Sequence, residues 1–469
     1  MAQLNDWPWQ YSSPWTYSSP WKYWANLRPQ AIAIRSGSQL ISWQQLAADI
    51  DSLAAGFQQQ GVAPGSGVVL RGKNSHTLLM AYLAALQCGA RVLPLNPQLP
   101  DALLAQLLPQ LDIDFVLNLA APLAVSLCFT PLRLDTDSAV MTPVVWDSLR
   151  LATMTLTSGS SGLPKAAVHS LAAHLVSADG ILKLMSFTSA DSWLLSLPLF
   201  HVSGQGIVWR WLSAGATLVV QEGGALHDAL AGCSHASLVP TQLWRLLATD
   251  DSVLTLKEVL LGGAAIPTTL TQHAEARGIR CWCGYGLTEA ASTVCAKGAD
   301  GLPGVGVALA GREVKLVEDE VWIKADCLAA GYWQQGKLQP ITDSEGWFHT
   351  RDRGMWQQGE LHIIGRLDNL FFSGGEGIQP EDIERVLLQY PGIQQAFVVP
   401  QVDDEFGHRP VAVIDVADEV DEASLSDWLI PQLAVFQRPI AFYRLPAALK
   451  QGGIKVSRQA VIDFVAKLI

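Results

Sequence analysis

Hydrophobic and polar positions alternate in blocks along the first part of the chain, where short apolar runs are separated by longer amphipathic stretches. Short apolar runs are typical of buried strands, and the longer stretches repeat their apolar positions with the spacing of a helix. The predicted order is a hairpin, a helix, a strand, a helix and a strand at residues 31–42, 43–60, 67–71, 76–88 and 92–95. This alternation predicts an α/β domain with a largely parallel sheet.

The same pattern continues through most of the chain and then changes. The alternation returns at residues 192–197, 216–221 and 259–261, and hairpin-like strands follow at 314–324 and 360–364. A Gly-Arg-Leu-Asp break at residues 365–368 precedes a helix, two strands and a final helix. We therefore predict two domains, a large α/β domain at residues 1–367 and a smaller α+β domain at 368–469.

Composition restricts the class of protein and its partners. Of the 469 residues, 49% are apolar and 16% charged, which is typical of a globular chain. The net charge of −12 argues against a nucleic-acid partner, because such a partner needs a basic face. The start of the chain lacks the pattern of a signal peptide, and the longest apolar runs are far shorter than the ~20 residues that span a bilayer. We therefore expect neither a signal peptide nor a membrane span.

The chain has seven cysteines, an odd number, and none of them forms a CxxC pair. This pattern favours reduced thiols in the cytoplasm over a disulfide framework. Cys281 and Cys283 are close enough in sequence to suggest metal ligands, but no matching His or Cys pair lies nearby. We therefore interpret them as buried structural thiols.

The most distinctive segment is TLTSGSSGLPK at residues 155–165, directly after an apolar strand-like run. Small residues let backbone N–H groups approach phosphate oxygens, hydroxyl side chains add donors, and a lysine adds positive charge. An ordinary Ser/Gly linker is the alternative, but a linker needs neither the Pro-Lys ending nor the preceding strand. The segment predicts a phosphate-binding loop with contacts from Thr157, Ser158, Gly159, Ser160, Ser161, Gly162 and Lys165.

This loop resembles the phosphate-binding loop of the adenylate-forming superfamily, which includes acyl-CoA synthetases, luciferases and the adenylation domains of peptide synthetases. Counterparts of the family's other motifs follow in the same order at residues 198–204, 262–264, 285–289, 350–352, 366–368 and 445–458. The resemblance implies a large domain of layered α/β subdomains that binds ATP and an acid, and a small mobile lid after residue 367. It also implies ATP, Mg²⁺ and coenzyme A as the small molecules that the protein uses.

The resemblance assigns most nucleotide contacts to the middle of the chain. These contacts are Gly263, Ala264, Tyr285, Gly286, Thr288 and Glu289. Tyr285 would stack on the adenine, Thr288 would bond near the α-phosphate, and Glu289 would hold Mg²⁺. Without the resemblance, residues 285–289 suit a turn in which Thr288 caps a helix.

Three further residues have counterparts near the predicted domain boundary. Asp352 would bind both ribose hydroxyls, because a carboxylate can accept several hydrogen bonds at once. The family usually has Thr-Gly-Asp here, and Arg351 replaces the glycine, so we expect a changed turn. Arg366 resembles an arginine that contacts ribose and phosphate. Asp368 matches the hinge of the lid, with an ordinary loop carboxylate as the alternative.

The C-terminal motif of the family is less regular in this chain. Lys455 follows the glycine pair of KQGGIK and precedes Ser457-Arg458, whereas Lys450 is the competing choice. We favour Lys455 as the lysine that reaches the acid and the α-phosphate. Gly375, within FSGGEG, would let the pantetheine arm of coenzyme A pass close to the backbone, with a glycine-rich surface turn as the alternative.

The acid substrate is indicated by a resemblance within the superfamily. CGYGLTEAASTVCAK, GRLDNLFFSGGEGIQPE and EFGHRPVAV resemble the o-succinylbenzoate–CoA ligases of menaquinone biosynthesis. That acid has a second, unreactive carboxylate, for which Arg210 is our candidate anchor; pairing of Arg210 with a core carboxylate is the alternative. His201 matches a histidine that lines the family's acyl pocket, although a lone histidine is often a core residue. Ser292 and Thr293 are further candidates for the pocket.

The sequence thus predicts an ATP-dependent acid–CoA ligase that forms an acyl-adenylate first. Lys165, Lys455 and Mg²⁺ would offset the repulsion between the acid and the α-phosphate. Another aryl- or fatty-acyl-CoA ligase, or a non-catalytic nucleotide-binding protein of the same fold, stays open as an alternative. The sequence leaves the oligomeric state undecided.

Overall fold

The computed structural model describes residues 18–122, 129–136, 141–157, 163–248, 255–416, 420–450 and 456–468. The chain divides into two compact units, each built from several segments. The first unit comprises residues 1–157, 163–233 and 327–340, and the second comprises 158–162, 234–326 and 341–469. The domain boundary near residue 368 stays a prediction.

The α-helices of the described residues include those predicted at residues 43–60 and 76–88 and others that were not predicted. In chain order they are Pro20–Leu27 (α1), Trp43–Gln59 (α2), His76–Gln87 (α3), Asp101–Leu107 (α4), Leu171–Leu182 (α5), Val202–Ala214 (α6), Leu226–Ala229 (α7), Pro240–Ala248 (α8), Thr268–Ala276 (α9), Pro380–Leu387 (α10), Glu422–Leu429 (α11), Ala447–Lys450 (α12) and Arg458–Val465 (α13). None of the described helices is long and apolar enough to cross a bilayer.

The strands of the described residues include all the predicted apolar runs. They are Ile32–Ser36 (β1), Gln39–Ser42 (β2), Gly67–Arg71 (β3), Arg91–Leu95 (β4), Phe115–Asn118 (β5), Thr130–Pro131 (β6), Leu151–Thr157 (β7), Lys165–Ser170 (β8), Ser192–Leu194 (β9), Thr217–Val220 (β10), His235–Leu238 (β11), Glu258–Leu261 (β12) and Arg280–Leu287 (β13). The remaining strands are Ser292–Gly298 (β14), Val307–Ala308 (β15), Arg312–Val317 (β16), Glu320–Ala325 (β17), Gly331–Gln334 (β18), Lys337–Gln339 (β19), Phe348–Gln357 (β20), Glu360–Arg366 (β21), Phe371–Ser373 (β22), Glu376–Ile378 (β23), Ile393–Asp403 (β24), Gly407–Val416 (β25) and Phe442–Arg444 (β26).

The first unit contains a sheet with the strand order β19-β18-β8-β7-β4-β3-β5-β6. Strands β4, β3 and β5 are parallel, and every residue of β3 is buried. A parallel strand that is covered on both faces needs a continuous apolar sequence, which explains the GVVLR run. Ser42 and Ser75 cap the N-termini of the neighbouring helices α2 and α3. Their side chains accept hydrogen bonds from backbone N–H groups of the first turn.

Two tryptophans near the N-terminus pack within the first unit. Trp21 is fully buried, and its indole N–H donates to Oε1 of Gln87 at 3.0 Å. The indole N–H of Trp24 donates to the carbonyl of Leu212 at 2.7 Å. Tryptophan suits such positions because the ring contributes apolar area while the N–H finds an acceptor. Trp7, Trp9 and Trp15 lie outside the described residues.

The second unit combines a mixed sheet with an antiparallel one. Strand β12 is parallel to both β11 and β13, whereas β13, β14 and β15 are antiparallel. A separate antiparallel sheet has the order β16-β17-β20-β21. Four of the residues predicted to contact the nucleotide lie on these strands: Tyr285 and Gly286 near the end of β13, Asp352 within β20 and Arg366 at the end of β21.

The C-terminal part of the second unit is a small α+β layer structure. Strands β24 and β25 form a long antiparallel hairpin, and β26 is parallel to β25. Alternate residues of this sheet point to opposite faces. Ala412 and Ile414 pack in one apolar cluster with residues of α10 and α11, whereas Val411 and Val413 pack in another with α13. The predicted α/β fold class is confirmed, including the α+β character of the last hundred or so residues.

Candidate active site

The predicted phosphate-binding loop connects two paired strands of the first unit. Thr157 ends β7, Lys165 begins β8, and the two residues are antiparallel partners. The Lys165 ammonium lies 5.0 Å from the centre of the Tyr332 ring on β18. The paired strands therefore fix both ends of the loop. Its central residues Ser158, Gly159, Ser160, Ser161 and Gly162 lie outside the described residues.

Two of the residues predicted to bind the acid belong to helix α6 and its N-terminal cap. His201 is the residue before its first turn and is half-buried. Arg210 lies further along the helix with 1% of its surface exposed, and its guanidinium carbon is 5.6 Å from the centre of the Trp193 ring. An arginine buried this deeply is uncommon without a specific interaction. The structure thus places Arg210 on a helix after His201, as predicted, and its role as an anchor stays a prediction.

Gln205, which was not predicted as a site residue, joins this helix to the strand that leads into the loop. Its side-chain amide donates to the Thr155 hydroxyl on β7 at 2.9 Å and to the Leu199 carbonyl at 3.1 Å. Gln205 is fully buried. A buried amide with two acceptors holds α6 in a fixed register against β7. Only the tertiary structure reveals this contact, because 50 residues separate the two side chains.

The Y-G-L-T-E motif forms a bulged corner between β13 and β14 in the second unit. The pairing register shifts between Tyr285 and Gly286. A β-carbon on Gly286 would lie 1.9 Å from the carbonyl oxygen of Ser292, so only glycine fits at this point. Thr288 and Glu289 follow on a single 3-10 turn at the tip of the corner, where both are half-buried. A bulge of this kind redirects side chains at the edge of a sheet.

Other predicted contacts lie on neighbouring strand ends. Gly263 and Ala264 are exposed in the turn after β12, and Gly263 has a φ of +85°. Ser292 and Thr293 begin β14, are 9% and 6% exposed, and have their hydroxyl oxygens 3.4 Å apart. Gly375 is exposed in the turn between β22 and β23 with a φ of +85°. These positions agree with turns predicted from the sequence and leave the ligand contacts as predictions.

Tyr285 and Asp352 form a buried hydrogen bond between β13 and β20. The Tyr285 hydroxyl donates to Oδ2 of Asp352 at 2.5 Å. Tyr285 is 9% exposed and Asp352 is 8% exposed. Burial, together with the charge of Asp352, raises the pKa of Tyr285 well above its ordinary value. The phenol therefore stays protonated, and it orients the carboxylate as a permanent donor.

Arg366 binds the other oxygen of the same carboxylate. It ends β21 directly opposite Asp352 on β20, and its Nη1 lies 3.0 Å from Oδ1 of Asp352. Asp352 is therefore held between a phenol on one oxygen and a guanidinium on the other. Burial opposes the charge on Arg366, but Asp352 and Asp368 raise the pKa of the guanidinium. Tyr285, Asp352 and Arg366 thus form a fixed acceptor flanked by an aromatic ring and a cation.

Asp368, the predicted hinge residue, is bound by two arginines. Its Oδ1 accepts from Nε and Nη2 of Arg351 at 3.2 and 3.0 Å, and its Oδ2 accepts from Nη2 of Arg366 at 3.1 Å. Partial burial opposes ionisation, but the hydrogen bonds and charges of these arginines lower the pKa of Asp368. Arg351 has a φ of +62°, in the left-handed region that glycine adopts most readily, and the changed turn stays a prediction.

The segment after the hinge is anchored by polar contacts that were not predicted. Asn369 donates to Oε1 of Glu381 on α10 at 2.5 Å. Arg458, at the start of α13, donates to Oε2 of Glu384 at 2.9 Å and to the Val398 carbonyl at 2.7 Å. Burial raises the pKa of Glu384 to about 7, although Arg458 opposes this change. The PEDIE and VSR sequences are the only signal of these contacts, and sequence spacing alone does not pair them.

Only one of the two candidate lysines of the C-terminal motif lies among the described residues. Lys450, on α12, forms an ion pair with the buried carboxylate of Asp415 on β25. Lys455 lies outside the described residues. Among the described residues, no group of three or more His, Cys, Asp or Glu side chains is placed to hold a metal ion. The thiols of Cys281 and Cys283 are buried, as predicted.

Comparisons with known proteins agree with these features. Residues 21–333 match the model of the AMP-binding enzyme family. The chain is 56% identical to the 2-succinylbenzoate–CoA ligase of Salmonella typhimurium over 99% of each chain, and 55% identical to that of Escherichia coli over 99% of each chain. The fold is similar to that of a substituted Escherichia coli MenE with bound OSB-AMS, with a TM-score of 0.91, 54% identity, and coverage of 95% of this chain and 98% of that one. The match to the family model and the extent of these identities show that the chain belongs to the AMP-binding enzyme family, as the resemblance of its motifs predicted.

Proposed function

We propose that this chain ligates 2-succinylbenzoate (o-succinylbenzoate) to coenzyme A at the expense of ATP, through an acyl-adenylate. The observation that carries the proposal is the Tyr285–Asp352–Arg366 arrangement, which presents a ring, a fixed acceptor and a cation together. An adenosine phosphate needs these three groups for its base, its ribose hydroxyls and its phosphate charge. The acid is indicated by the names of relatives that are more than half identical to this chain over nearly its whole length.

Phosphate binding is assigned to the segment between β7 and β8 and to the bulged corner. The hydroxyl and glycine residues from Thr157 to Gly162 would donate to the β- and γ-phosphates, and Lys165 would add charge. Thr288 would donate to the α-phosphate. Glu289 would hold Mg²⁺, which suits a nucleotide-bound ion because Mg²⁺ usually takes few protein ligands and completes its shell with phosphate and water. When bound, Mg²⁺ supplies charge neutralisation at the phosphates.

The chemical difficulty of the first step is the approach of two anions. An ionised carboxylate must attack the α-phosphate, and two unit charges at ~4 Å repel by about 4 kcal/mol at an effective dielectric constant of ~20. Lys455 and Arg366 would offset that repulsion from two sides. The attack forms the acyl–phosphate bond and breaks the α–β phosphate bond, so pyrophosphate leaves. Coenzyme A then attacks the acyl carbon through its thiol, and AMP leaves.

Lys455 is favoured over Lys450 as the lysine of the first step. Lys450 already forms an ion pair with Asp415, whose side chain is 5% exposed. Withdrawing Lys450 to reach a substrate would leave a buried carboxylate without that cation, which is costly. Lys455 lies between Lys450 and Ser457, and Arg458 anchors the start of α13 directly after it. This anchor would limit the positions that the Lys455 segment can reach.

The unreactive carboxylate of the acid is assigned to Arg210. The side chain is nearly fully buried on α6, nine residues after His201, and a guanidinium in such surroundings gains strongly from a carboxylate partner. His201, Ser292 and Thr293 would complete the acid pocket. Benzoate lacks the second carboxylate, so it would gain nothing from Arg210.

The second step is assigned to a movement of the lid, residues 368–469, about Asp368. Removing Lys455 from the reaction centre would open a path for the pantetheine arm beside Gly375. The exposed turn at Gly374 and Gly375 has no side chains to block that path. The buried thiols and the odd number of cysteines support a cytoplasmic location for this chemistry.

The test is product analysis by mass spectrometry with ATP, Mg²⁺, coenzyme A and one acid at a time. We expect o-succinylbenzoyl-CoA and AMP from o-succinylbenzoate, with far less product from benzoate or medium-chain acids. A Lys455→Ala variant should lose adenylation but still convert supplied o-succinylbenzoyl-AMP to the thioester.

Two outcomes would contradict the proposal. Preference for another acid in the panel would replace the assigned substrate while keeping the ligase chemistry. Absence of ATP–pyrophosphate exchange with every acid would remove the ligase assignment itself. Equal loss of both steps in Lys455→Ala would contradict the role of Lys455, and a Lys450→Ala variant, measured in parallel, serves as the control for a nearby lysine.

A further inference from the structure

Arg351 has a backbone conformation that its residue type disfavours. Its φ of +62° lies in the left-handed region, where a β-carbon crowds the following carbonyl. Glycine avoids this crowding. The backbone N–H of Arg351 donates to Oε1 of Glu320 at 2.8 Å, which fixes this turn to β17. The conformation is retained despite an unfavourable residue, so the Arg351 side chain is the feature to explain.

The side chain of Arg351 reaches across to the hinge. Both Nε and Nη2 donate to the same oxygen of Asp368, and Nη2 of Arg366 donates to the other oxygen. Asp368 therefore neutralises two arginines that stand on either side of it. Since Arg366 also binds Asp352, the contacts form a continuous chain from the ribose carboxylate through Arg366 and Asp368 to Arg351.

These contacts join a fixed strand to a residue whose backbone is expected to rotate. Arg351 lies within β20, at the irregularity in the pairing of β20 with β17, and its neighbour Asp352 pairs with Arg366 on β21. Asp368 lies after β21, on a single 3-10 turn formed by residues 367–369. A change in the backbone torsions of Asp368 would carry its carboxylate away from β20. The contact with Arg351 can therefore exist in only some orientations of the lid.

We propose that Arg351 is a positioning residue that latches the hinge by holding the carboxylate of Asp368 against β20. The inference deepens the proposed function and rests on it, because it assumes that the two half-reactions use different lid orientations. The latch favours the orientation in which it is closed and must open once in each turnover. Removing it changes the balance between the half-reactions without removing any group from the reaction centre.

The expected effect is moderate. The Arg351 side chain is 54% exposed and that of Asp368 is 25% exposed, so solvent and salt weaken the pair. We expect a change of about three- to fivefold in the ratio of the two half-reaction rates, which corresponds to a typical exposed ion pair of good geometry. A latch of this strength biases the hinge and still opens readily.

The experiment compares Arg351→Gly with Arg351→Lys and with a matched control, Arg353→Ala. Glycine suits the left-handed backbone, so Arg351→Gly should fold. Lysine keeps one charged group but not the two-nitrogen contact. Arg353 lies on the same strand and pairs with Asp319 at 3.2 Å, away from the hinge. Adenylation is measured by ATP–pyrophosphate exchange with o-succinylbenzoate, and thioester formation from supplied o-succinylbenzoyl-AMP and coenzyme A.

The latch predicts that Arg351→Gly shifts the rate ratio by more than twofold, that Arg351→Lys shifts it less, and that Arg353→Ala leaves it within twofold. Added salt should move the wild-type ratio in the same direction as Arg351→Gly and have little effect on that variant. A ratio within twofold of wild type in Arg351→Gly would overturn the latch, as would equal shifts in Arg351→Gly and Arg353→Ala.

A second readout does not depend on activity. Amide hydrogen exchange at residues 366–369 should be faster in Arg351→Gly than in wild type and unchanged in Arg353→Ala, because only the first substitution releases the hinge. Equal exchange in all three proteins would overturn the latch even if the ratio changed. If wild type showed no pyrophosphate exchange, the proposed function would fail, and hydrogen exchange would still decide whether Arg351 restrains the hinge.

Discussion

The contacts around Asp352, proposed to bind the ribose, and those around Asp368, proposed as the hinge, use the same kinds of side chain in opposite surroundings. Asp352 and Tyr285 are each less than one-tenth exposed, and their hydrogen bond is short. The Arg351 side chain at the hinge is more than half exposed, and its contacts with Asp368 are 3.0 and 3.2 Å long. A buried hydrogen bond is costly to break, whereas an exposed ion pair contributes at most about 1 kcal/mol.

This difference suits the two tasks. A binding group gains from a rigid position, because its orientation is then established before the ligand arrives. A hinge must change its contacts in each catalytic cycle, so it cannot depend on interactions worth several kcal/mol. Arg366 belongs to both regions, since one of its terminal nitrogens binds Asp352 and the other binds Asp368. The following predictions test how far the two regions are separate.

The largest effect is expected from Asp352→Asn. The substitution keeps the shape but removes the charge that Arg366 neutralises, and an amide cannot accept on both of its terminal atoms. We expect kcat/KM for ATP to fall about 100-fold, which corresponds to roughly 3 kcal/mol. Steady-state kinetics with varied ATP provide the measurement, and Asp319→Asn, at an exposed carboxylate of the same unit, is the control. A loss below about fivefold would mean that Asp352 is not a principal nucleotide contact.

The next effect concerns pH and the segment beyond the hinge. The pKa of Glu384 is raised from 4.5 to about 7, mainly by burial, so the folded protein holds this proton over a range in which the unfolded chain releases it. The raised pKa contributes stability below about pH 4.5, and this contribution is lost as pH rises to about 7. The difference between the ordinary and the raised pKa corresponds to a contribution on the order of 3 kcal/mol to the free energy of unfolding.

Glu384→Gln should remove that pH dependence. Measured by denaturant unfolding at several pH values, the stability of wild type relative to Glu384→Gln should decrease as pH rises from 4.5 to 7 and then level off. Glu422→Gln, at an exposed carboxylate in the first turn of α11, is the control. If the stability of wild type relative to Glu384→Gln instead increased from pH 4.5 to 7, the charge of Arg458 would outweigh the effect of burial, and the pKa of Glu384 would not be raised.

A smaller effect is expected from Tyr285→Phe. The variant keeps the ring that is assigned to the adenine but removes the donor to Asp352. We expect a loss of about 1–2 kcal/mol in the free energy of unfolding, since a buried carboxylate oxygen loses one partner. The KM for ATP should rise by only a few-fold. Thermal unfolding and ATP kinetics measure the two quantities, and a loss of activity as large as that of Asp352→Asn would show that the hydroxyl does more than orient the carboxylate.

The smallest stability effect is expected from Arg351→Gly. Glycine relieves the left-handed backbone and removes an exposed ion pair, and the two contributions, each about 1 kcal/mol or less, oppose one another. The free energy of unfolding should therefore stay within about 1 kcal/mol of wild type. Chemical denaturation measures it, and a loss above about 2 kcal/mol would place Arg351 among the structural residues instead of the hinge contacts.

Local patterns in the sequence predicted much of this molecule. The GVVLR strand, the helix that begins after Ser42 and the hairpins of the second unit all follow from apolar periodicity and capping residues. Strand ends were less predictable, because pairing decides them. The first of the two strands predicted after the break at residues 365–368 spans Ile393–Asp403, since its partner β25 continues the ladder to a tight turn.

The residues of the candidate site also fall into two groups, those that were predicted from the sequence and those that were not. Tyr285, Asp352 and Arg366 were predicted because their short motifs resemble those of the family, and the structure brings their side chains into contact. Gln205 and the Arg458–Glu384 pair were missed, because their partners are distant in sequence and their residue types are common. Arg351 was noticed as a departure from the family pattern, but its contact with Asp368 required the fold.

The buried cysteines have a consequence for the intermediate. An acyl-adenylate is an electrophile, and a protein thiolate that reached it would be acylated in place of coenzyme A. Cys281 and Cys283 lie on the strand that carries Tyr285, and burial raises their pKa values to about 12 and about 11. At neutral pH only about one in ten thousand thiols with a pKa near 11 is ionised. The sulfur on this strand is therefore held in its least nucleophilic form, so self-acylation there competes poorly with the thiol that arrives as a substrate.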